Sequence, residues 1–169
     1  SFSKDTVVPT KNIDYSNTKK AHFAGGCFWG VEHLFEKQKG VKDVVSGFMG
    51  GHVQNPFYRA VIKGDTGHVE TVEVVYDSSE ISYESLAKLF FEIHDSTQKN
   101  GQGPDIGSQY LSVVFYENEE EKRTSEKLIE ILKAKGYAVA TTLKPSSPFY
   151  AAEKFHQDYY ERTGKTPYC

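Results

Sequence analysis

Cysteine is scarce in this sequence: the 169 residues include two, Cys27 and Cys169, which lie far apart along the chain. No Cys-X-X-Cys pair occurs, which argues against a structural zinc site and against a thioredoxin-type dithiol. The six histidines likewise contain no His-X-His or His-X-X-X-His spacing that would indicate a metal site. By number alone, the two cysteines fit a structural disulfide, two unrelated thiols or a reactive pair.

Long apolar runs and an excess of positive charge are also missing. No stretch approaches the roughly 20 residues that span a bilayer, and a formal net charge of -3 argues against a nucleic-acid-binding protein. With 38% hydrophobic and 25% charged residues, the composition is that of a soluble globular protein, and the length suits one domain. We therefore expect a monomer that contacts neither membrane nor nucleic acid.

The two ends of the chain differ in character from its middle. Residues 1–19 are polar and aperiodic, which predicts an extended arm or linker before a folded domain over residues 20–169. The last residues form a glycine- and proline-containing tail that is expected to be flexible and that carries Cys169. A cytoplasmic location is expected, and an exported or periplasmic one stays open because residue 1 is a serine and not an initiator methionine.

The apolar pattern predicts a chain of mixed helices and strands. Strands are expected over 20–25, 41–46, 68–76, 109–116 and 138–143, and helices over 28–38, 83–94, 119–135 and 149–161. Two long polar segments, 48–67 and 95–107, are expected to be loops and are natural places for a site. The irregular alternation, with no glycine-rich phosphate loop, predicts a single α+β domain in which helices pack on a mixed β-sheet.

Cys27 is the strongest candidate for a reactive group. It follows two glycines and begins the sequence Cys-Phe-Trp-Gly between a predicted strand and a predicted helix. Glycines allow a sharp turn, and a helix N-terminus offers free N–H groups and a positive dipole end, which favour thiolate over thiol. A reactive nucleophile is therefore favoured over the alternative, a small buried apolar cysteine.

Two aromatic residues and a glutamate provide a candidate surrounding for this thiolate. Phe28 and Trp29 follow Cys27 directly, and they either belong to the core or line a pocket for a small apolar group such as a methyl. Glu70 shares one face of a predicted strand with Val72, Val74 and Tyr76. Burial there would raise the pKa of the carboxyl group enough to hold a proton near neutral pH, although an exposed strand-end glutamate fits almost as well.

Other polar candidates are weaker. Tyr58, Asp105 and Tyr110 lie on or beside the two predicted loops, where phenol and carboxyl groups are able to hydrogen-bond a polar substrate oxygen. A cysteine hydrolase would need one of the histidines beside Cys27, and the sequence does not select one. A module that binds methionine-containing peptides without turnover also fits the aromatic pair, but it leaves Cys27 and Glu70 without a role.

Six ordered sequence blocks resemble those of the peptide methionine sulfoxide reductase A family. They are GCFWG at 26–30, SGFMGG at 46–51, NPFYRAV at 55–61, GDTGHVETVEVVYD at 64–77, HDSTQKNGQGPDIGSQY at 94–110 and FYAAEKFHQDYY at 149–160. Together they span most of the chain between residues 20 and 160. The sequence departs from the family pattern at Phe48, Met49, Ser96 and Pro104, none of which is a position assigned to chemistry.

The resemblance implies a fold and a set of residue roles. The fold would be an α/β roll with a ferredoxin-like split β-α-β core. Cys27 would be the nucleophile, and Glu70 would donate a proton to the sulfoxide oxygen. The other implied roles concern binding: Phe28 and Trp29 would form a methyl pocket, Tyr58 and Tyr110 would bind the oxygen, and Asp105 would shape the polar side of the site.

The implied reaction is reduction of the S epimer of methionine sulfoxide, free or in proteins, as repair of oxidative damage. Thiolate attack on the sulfur would leave a sulfenic acid on Cys27. Cys169, the only other thiol in the sequence, would convert it to a Cys27–Cys169 disulfide for reduction by a thioredoxin. No metal or organic cofactor is implied.

Overall fold

A six-stranded β-sheet forms the centre of the molecule in the computed structural model, which describes residues 17–54, 56, 60–61, 63–64 and 66–152, with Trp29 described by its backbone alone. The sheet strands are β1 (Thr18–Gly25), β2 (Val41–Met49), β3 (Val69–Asp77), β6 (Ser112–Tyr116), β7 (Thr142–Pro145) and β8 (Tyr150–Ala151). Between β3 and β6, a separate hairpin pairs β4 (Gly101–Gln102) with β5 (Asp105–Ile106). The helices are α1 (Phe28–Glu36), α2 (Tyr83–Ile93) and α3 (Glu119–Ala134), and Ser108–Tyr110 form a 3-10 turn.

The strand order, β7-β6-β1-β3-β2-β8, contains the predicted split β-α-β core. Helix α1 connects β1 to β2, and β3 lies between them and runs antiparallel to both. Helix α2 connects β3 to β6 in the same way, with β1 between these two strands. The edge strand β7 runs parallel to β6, so the sheet is mixed. The predicted α+β fold with its ferredoxin-like core is confirmed.

Side chains alternate between the two faces of the sheet because a β-strand has a period of two. On the face that α1 and α2 cover, the strands contribute the main core, which includes Phe23, Phe48, Val72 and Val74. The opposite face carries a smaller cluster formed by Ala24, Met49, Val69, Val113 and Phe115. The larger cluster lies beneath the N-terminus of α1, so it supports the turn that carries Cys27.

Polar caps determine where two of the helices begin. The Ser82 side chain accepts a hydrogen bond from the backbone N–H of Ser85 at the start of α2, and Asn118 does the same for Glu121 at the start of α3. Helix α1 differs, because Cys27 stands at its N-cap and makes no side-chain capping bond. No helix within the described ranges is both long and apolar enough to cross a membrane.

The prediction of a helix over 149–161 is wrong at its start. Tyr150 and Ala151 form the edge strand β8 and pair with Phe48 and Gly47 of β2. The pairing depends on Gly47, because a Cβ atom there would lie 2.3 Å from the Tyr150 carbonyl oxygen. The remainder of the predicted helix lies outside the described residues.

Two further predictions need correction in detail. The strand expected over 138–143 begins at Thr142 and ends at Pro145, and residues 137–141 have no regular structure. The loop expected over 95–107 contains the short β4–β5 hairpin. Both errors arise from strands of two to four residues, which are too short to show a period and depend on pairing partners distant in sequence.

Candidate active site

Cys27 lies at the sharp turn between β1 and α1. The turn requires glycine at position 26, where φ is +97° and where a Cβ atom would lie 2.6 Å from the Cβ atom of Gln102. Cys27 adopts extended backbone angles at the N-cap of α1 and is 8% exposed. Its sulfur therefore sits at the positive end of a helix dipole, which stabilises a thiolate. In this structure Cys27 is disulfide-bonded.

Glu70 approaches the same turn from strand β3. It is 1% exposed and lies on the helix-covered face with Val72 and Val74, as the alternation of the strand predicts. Its Oε1 atom accepts a hydrogen bond of 3.2 Å from the backbone N–H of Phe28, the residue after Cys27. Its Oε2 atom is buried and has no hydrogen-bond partner in the described part of the chain.

Burial is the dominant influence on the ionisation of Glu70. Desolvation raises the pKa of its carboxyl group, the Phe28 N–H lowers it, and the nearby charge of Asp105 raises it further, to about 8. The group therefore holds its proton at neutral pH. A protonated carboxyl with one free oxygen, next to the N-cap sulfur, is arranged to act as a general acid toward a substrate bound at that sulfur.

Asp105 and Tyr110 complete the polar side of the site. Asp105 belongs to the β4–β5 hairpin, desolvation raises its pKa, and its Oδ2 atom has no partner among the residues described. Tyr110 belongs to the 3-10 turn. Burial, followed by the charges of Glu70 and Asp105, raises the pKa of its phenol to about 12, so it remains a hydrogen-bond donor at neutral pH. The structure brings these two predicted residues into electrostatic contact with Glu70.

The aromatic side of the site contains one residue that the sequence analysis assigned no role. Phe28 is 1% exposed and its ring lies 5.7 Å from that of Phe48, at an angle of 45°. Phe48 stands opposite Glu70 in the β2–β3 register, so it also contributes to the apolar surroundings of that carboxyl group. Its even spacing from the apolar Val44, which lies four residues earlier on the same strand and in the same core cluster, is the signal that would have identified it.

Three predicted site residues fall wholly or partly outside the described structure. Trp29 belongs to helix α1, but its side chain lies outside the described part. Tyr58 and Cys169 lie outside the described residues altogether. Their roles remain predictions.

The histidine beside the turn is already engaged by other residues. His94 packs against Gly25, and its Nδ1 donates to the Phe90 carbonyl oxygen while its Nε2 lies 2.7 Å from Ser112 Oγ. Burial lowers the pKa of His94 to about 4, despite the opposing effects of the Phe90 carbonyl and Asp95. This ring is therefore neutral and has no nitrogen left to activate a cysteine. Across the described ranges, no group of three or more potential ligands forms a metal site.

Comparison with known proteins agrees with this geometry. Residues 19–169 match the family model described as peptide methionine sulfoxide reductase. The chain is 49% identical to the peptide methionine sulfoxide reductase MsrA of Nautilia profundicola over 150 residues, which cover 89% of this chain and 87% of that protein.

Solved structures show the same fold. The reduced form of Mxr1 from Saccharomyces cerevisiae has a TM-score of 0.86 and 34% identity, with 94% of each chain covered. Mxr1 in its complex with Trx2 has a TM-score of 0.62 and 27% identity, covering 88% of this chain and 91% of that one. With a family match over most of its length and relatives this similar, the chain belongs to the peptide methionine sulfoxide reductase family.

Proposed function

We propose that this protein reduces the S epimer of methionine sulfoxide, free or within proteins, to methionine, and so repairs oxidative damage. The observation that carries the proposal is the placement of Glu70. Its protonated carboxyl is hydrogen-bonded to the backbone N–H of Phe28, the residue that follows Cys27 at the N-cap of α1. A nucleophile and an acid held together in this way are what transfer of an oxygen from a sulfoxide requires.

The first half of the reaction uses these two groups. The Cys27 thiolate attacks the sulfoxide sulfur while Glu70 donates its proton to the oxygen. The sulfur–oxygen bond of the substrate breaks and the oxygen passes to the cysteine sulfur. Methionine leaves in reduced form, and Cys27 is oxidised to a sulfenic acid. Solvent returns a proton to Glu70 before the next cycle.

The polar and aromatic sides of the site would orient the substrate. Tyr110, neutral at physiological pH, would donate a hydrogen bond to the sulfoxide oxygen, with Tyr58 as a second donor. Asp105 would keep this side polar and the pKa of Glu70 high. Phe28 and Trp29 would hold the methyl group on the opposite side. An oxygen subsite and a methyl subsite on two sides of Cys27 would fix the handedness of the accepted sulfur.

Cys169 would complete the cycle. Its thiol would attack the sulfur of the sulfenic acid, so that water leaves and a Cys27–Cys169 disulfide forms. This step is supported by the disulfide state of Cys27 together with the presence of one other cysteine in the sequence. A thioredoxin would then reduce the disulfide by thiol exchange, as the complex of the related Mxr1 with Trx2 suggests. We further propose that the protein works as a monomer in the cytoplasm, where thiols are kept reduced.

The two epimers of a peptide methionine sulfoxide test the activity directly. Each is incubated with the protein and a thiol reductant, and the products are separated by chromatography. We expect the S epimer to be consumed and the R epimer to remain. Equal consumption of both would contradict the proposed subsites, and acylation of Cys27 by an ester without any sulfoxide reduction would indicate a hydrolase instead.

The variant Cys169→Ser tests the second half of the cycle. It should still reduce one equivalent of sulfoxide, because the attack needs Cys27 and an acid alone. It should turn over poorly with thioredoxin and better with a small thiol that reaches the sulfenic acid directly. Full turnover of Cys169→Ser with thioredoxin, together with no Cys27–Cys169 link in the mass spectrum of oxidised wild type, would remove Cys169 from the mechanism.

A further inference from the structure

The two glycines before Cys27 are enclosed on opposite sides. A Cβ atom at Gly25 would lie 2.8 Å from Phe90 Cε1 and 3.3 Å from His94 Cγ, so the end of α2 packs directly against that residue. A Cβ atom at Gly26 would lie 2.6 Å from the Cβ and 2.8 Å from the Cγ of Gln102. The turn that carries the nucleophile therefore lies between the end of α2 and the stem of Gln102.

The amide group of Gln102 connects strand β4 to the segment at the end of α2. Its Oε1 accepts a 2.6 Å hydrogen bond from the backbone N–H of Asp95, and its Nε2 donates a 2.9 Å bond to the Asp95 carbonyl oxygen. Asp95 directly follows His94, whose ring is held by Ser112, which in turn lies 2.7 Å from Thr141 Oγ1. One side chain thus fastens the hairpin strand β4 to the segment that supports Gly25.

The same residue also positions the acidic side of the site. Gln102 in β4 is the register partner of Asp105 in β5. Asp105 is the charged group that, after burial, raises the pKa of Glu70. Movement of the hairpin away from Gly26 would therefore change the surroundings of both the nucleophile and the acid.

We propose that Gln102 is a positioning residue for sulfoxide reduction. It holds the β4–β5 hairpin against Gly26 and so fixes the position of Asp105 and Glu70 relative to Cys27. This inference rests on the proposed function, because it concerns the step in which Cys27 attacks while Glu70 donates a proton. Gln102 itself touches neither reacting group by its amide; it acts through Asp95, Gly26 and Asp105.

The hydrogen bonds of Gln102 contribute more to geometry than to overall stability. They lie at an exposed position, where water competes for the same amide and backbone groups. Their loss should release the hairpin locally while the sheet and helices remain folded. A purely structural role would lower the melting temperature and leave the pH profile of the chemical step unchanged.

Loss of this contact has a defined consequence for the pH profile. The groups that face the Glu70 carboxyl are the Cys27 sulfur and the Phe28 N–H at the start of α1, Asp105 from the hairpin and Tyr110 from the 3-10 turn. Cys27 is the same in every variant compared. Release of the hairpin would move the Asp105 charge away and admit water. Both changes lower the pKa of Glu70, so the rate should begin to fall at a lower pH than in wild type.

The test compares two glutamines of the same loop. Gln98 makes an equivalent pair of bonds to one backbone residue, because its Oε1 accepts from the Gly103 N–H at 2.8 Å and its Nε2 donates to the Gly103 carbonyl at 3.2 Å. It precedes β4 and binds Gly103 at the hairpin tip, and it is not among the atoms nearest Gly26. The Nε2 atom of Gln98 also donates to Asn100 Oδ1 at 3.2 Å, so Gln98→Ala removes at least as many hydrogen bonds as Gln102→Ala, but away from Gly26.

Single-turnover formation of the Cys27 sulfenic acid is measured with reduced protein and a peptide that carries the S sulfoxide. Every variant also carries Cys169→Ser, and the protein with this substitution alone is the background protein. The pH runs from 6 to about 10, a range that spans the pKa of Glu70 at about 8. We expect Gln102→Ala to lower the maximal rate by roughly threefold to tenfold, as the loss of one or two exposed hydrogen bonds would. Its alkaline limb should move to lower pH. Gln98→Ala should match the background protein in both respects.

Two outcomes would overturn the inference. One is that folded Gln102→Ala forms the sulfenic acid at the rate and with the pH profile of the background protein. The other is that Gln98→Ala lowers the rate and shifts the pH profile as much as Gln102→Ala does. If Gln102→Ala does not fold, Gln102→Met decides, since it keeps the stem over Gly26 and removes both amide bonds, and background behaviour in that variant refutes the proposal. Failure of the proposed function is separate, because the background protein would then form no sulfenic acid at any pH.

Discussion

Glu70 and Glu73 occupy the same strand, β3, but face opposite sides of the sheet and ionise differently. The surroundings of Glu70 are apolar and hold an aspartate, and burial raises its pKa to about 8. Burial also raises the pKa of Glu73, but the hydrogen bond and charge of His22, with the charge of Lys20, outweigh it and hold the value below normal. Deep burial without a cationic partner thus keeps Glu70 protonated, whereas His22 and Lys20 keep the half-buried Glu73 ionised.

Glu73 is half-buried and is paired with the buried ring of His22. Glu73 stands opposite His22 in the β1–β3 register, and its Oε2 lies 2.9 Å from His22 Nε2. Lys20 Nζ lies 3.7 Å from Oε1. Both carboxylate oxygens of Glu73 thus have a partner, one in Lys20 and one in His22. Glu70 keeps one oxygen unpaired in the described part of the chain. The first arrangement suits a structural pair and the second suits proton donation.

Exchange of each glutamate for glutamine gives the largest contrast. Glu70→Gln keeps the shape and removes the transferable proton, so the single-turnover rate should fall by about 10² to 10⁴. Glu73→Gln should leave that rate within about twofold, since this pair lies on the opposite face of β3 from Glu70 and contributes little to the barrier. Rapid-quench measurement of methionine formation at pH 7 gives both values. Wild-type speed in Glu70→Gln would assign the acid to another group.

Glu70→Gln should also raise the free energy of unfolding at neutral pH. A carboxyl with a pKa raised above its unfolded value of 4.5 contributes stability that is complete below 4.5 and is lost as the pH rises toward about 8. Between pH 4.5 and pH 7, the free energy of unfolding of wild type should therefore fall by about 3 kcal/mol more than that of Glu70→Gln. Urea unfolding under reducing conditions at pH 5 and pH 8 measures it. A constant difference between the two proteins across this range would contradict the assigned ionisation.

A smaller effect concerns the contribution of Asp105 to the pKa of Glu70. The rate of the wild-type chemical step should decline above about pH 8, as Glu70 loses its proton. Asp105→Asn removes the negative charge, so this decline should begin at lower pH, by less than about one unit because burial is the larger cause. Asp77→Asn, at the far end of β3, serves as the control and should leave the profile in place. An upward shift in Asp105→Asn would have the wrong sign for electrostatic coupling.

The smallest effect belongs to the ion pair of Glu73. Because its pKa lies below 4.5, the pair stabilises the fold above that pH and the stabilisation is lost as the pH falls through the folded value. Glu73→Gln should cost about 1 kcal/mol at pH 7, the usual contribution of a hydrogen bond to a charged partner after partial exposure. Denaturant midpoints at pH 7 and pH 3 should show this cost at the higher pH and little at the lower one.

The sequence predicted the position of Glu70 on the buried face correctly because the evidence was local. The alternation of β3 places it on the apolar face, and the turn before Phe28 places Cys27 at a helix start. The partner of Glu73 could not be predicted, because it depends on the β1–β3 register. The hairpin that carries Asp105 and the edge strand at Tyr150 were missed for the same reason: each consists of two-residue strands whose stability comes from distant contacts.

Strand β8 has a consequence for the kinetics of the proposed cycle. It pairs at the open edge of β2 with Phe48, which is itself the register partner of Glu70, so the chain leaves the sheet within two strand spacings of the acid. At about 4.8 Å per spacing, the segment leading to Cys169 starts on the order of 10 Å from the site. If Cys169 resolves the sulfenic acid as proposed, its tether would give the thiol an effective concentration on the order of millimolar, so that resolution would be a unimolecular event that dilute external thiols could not match.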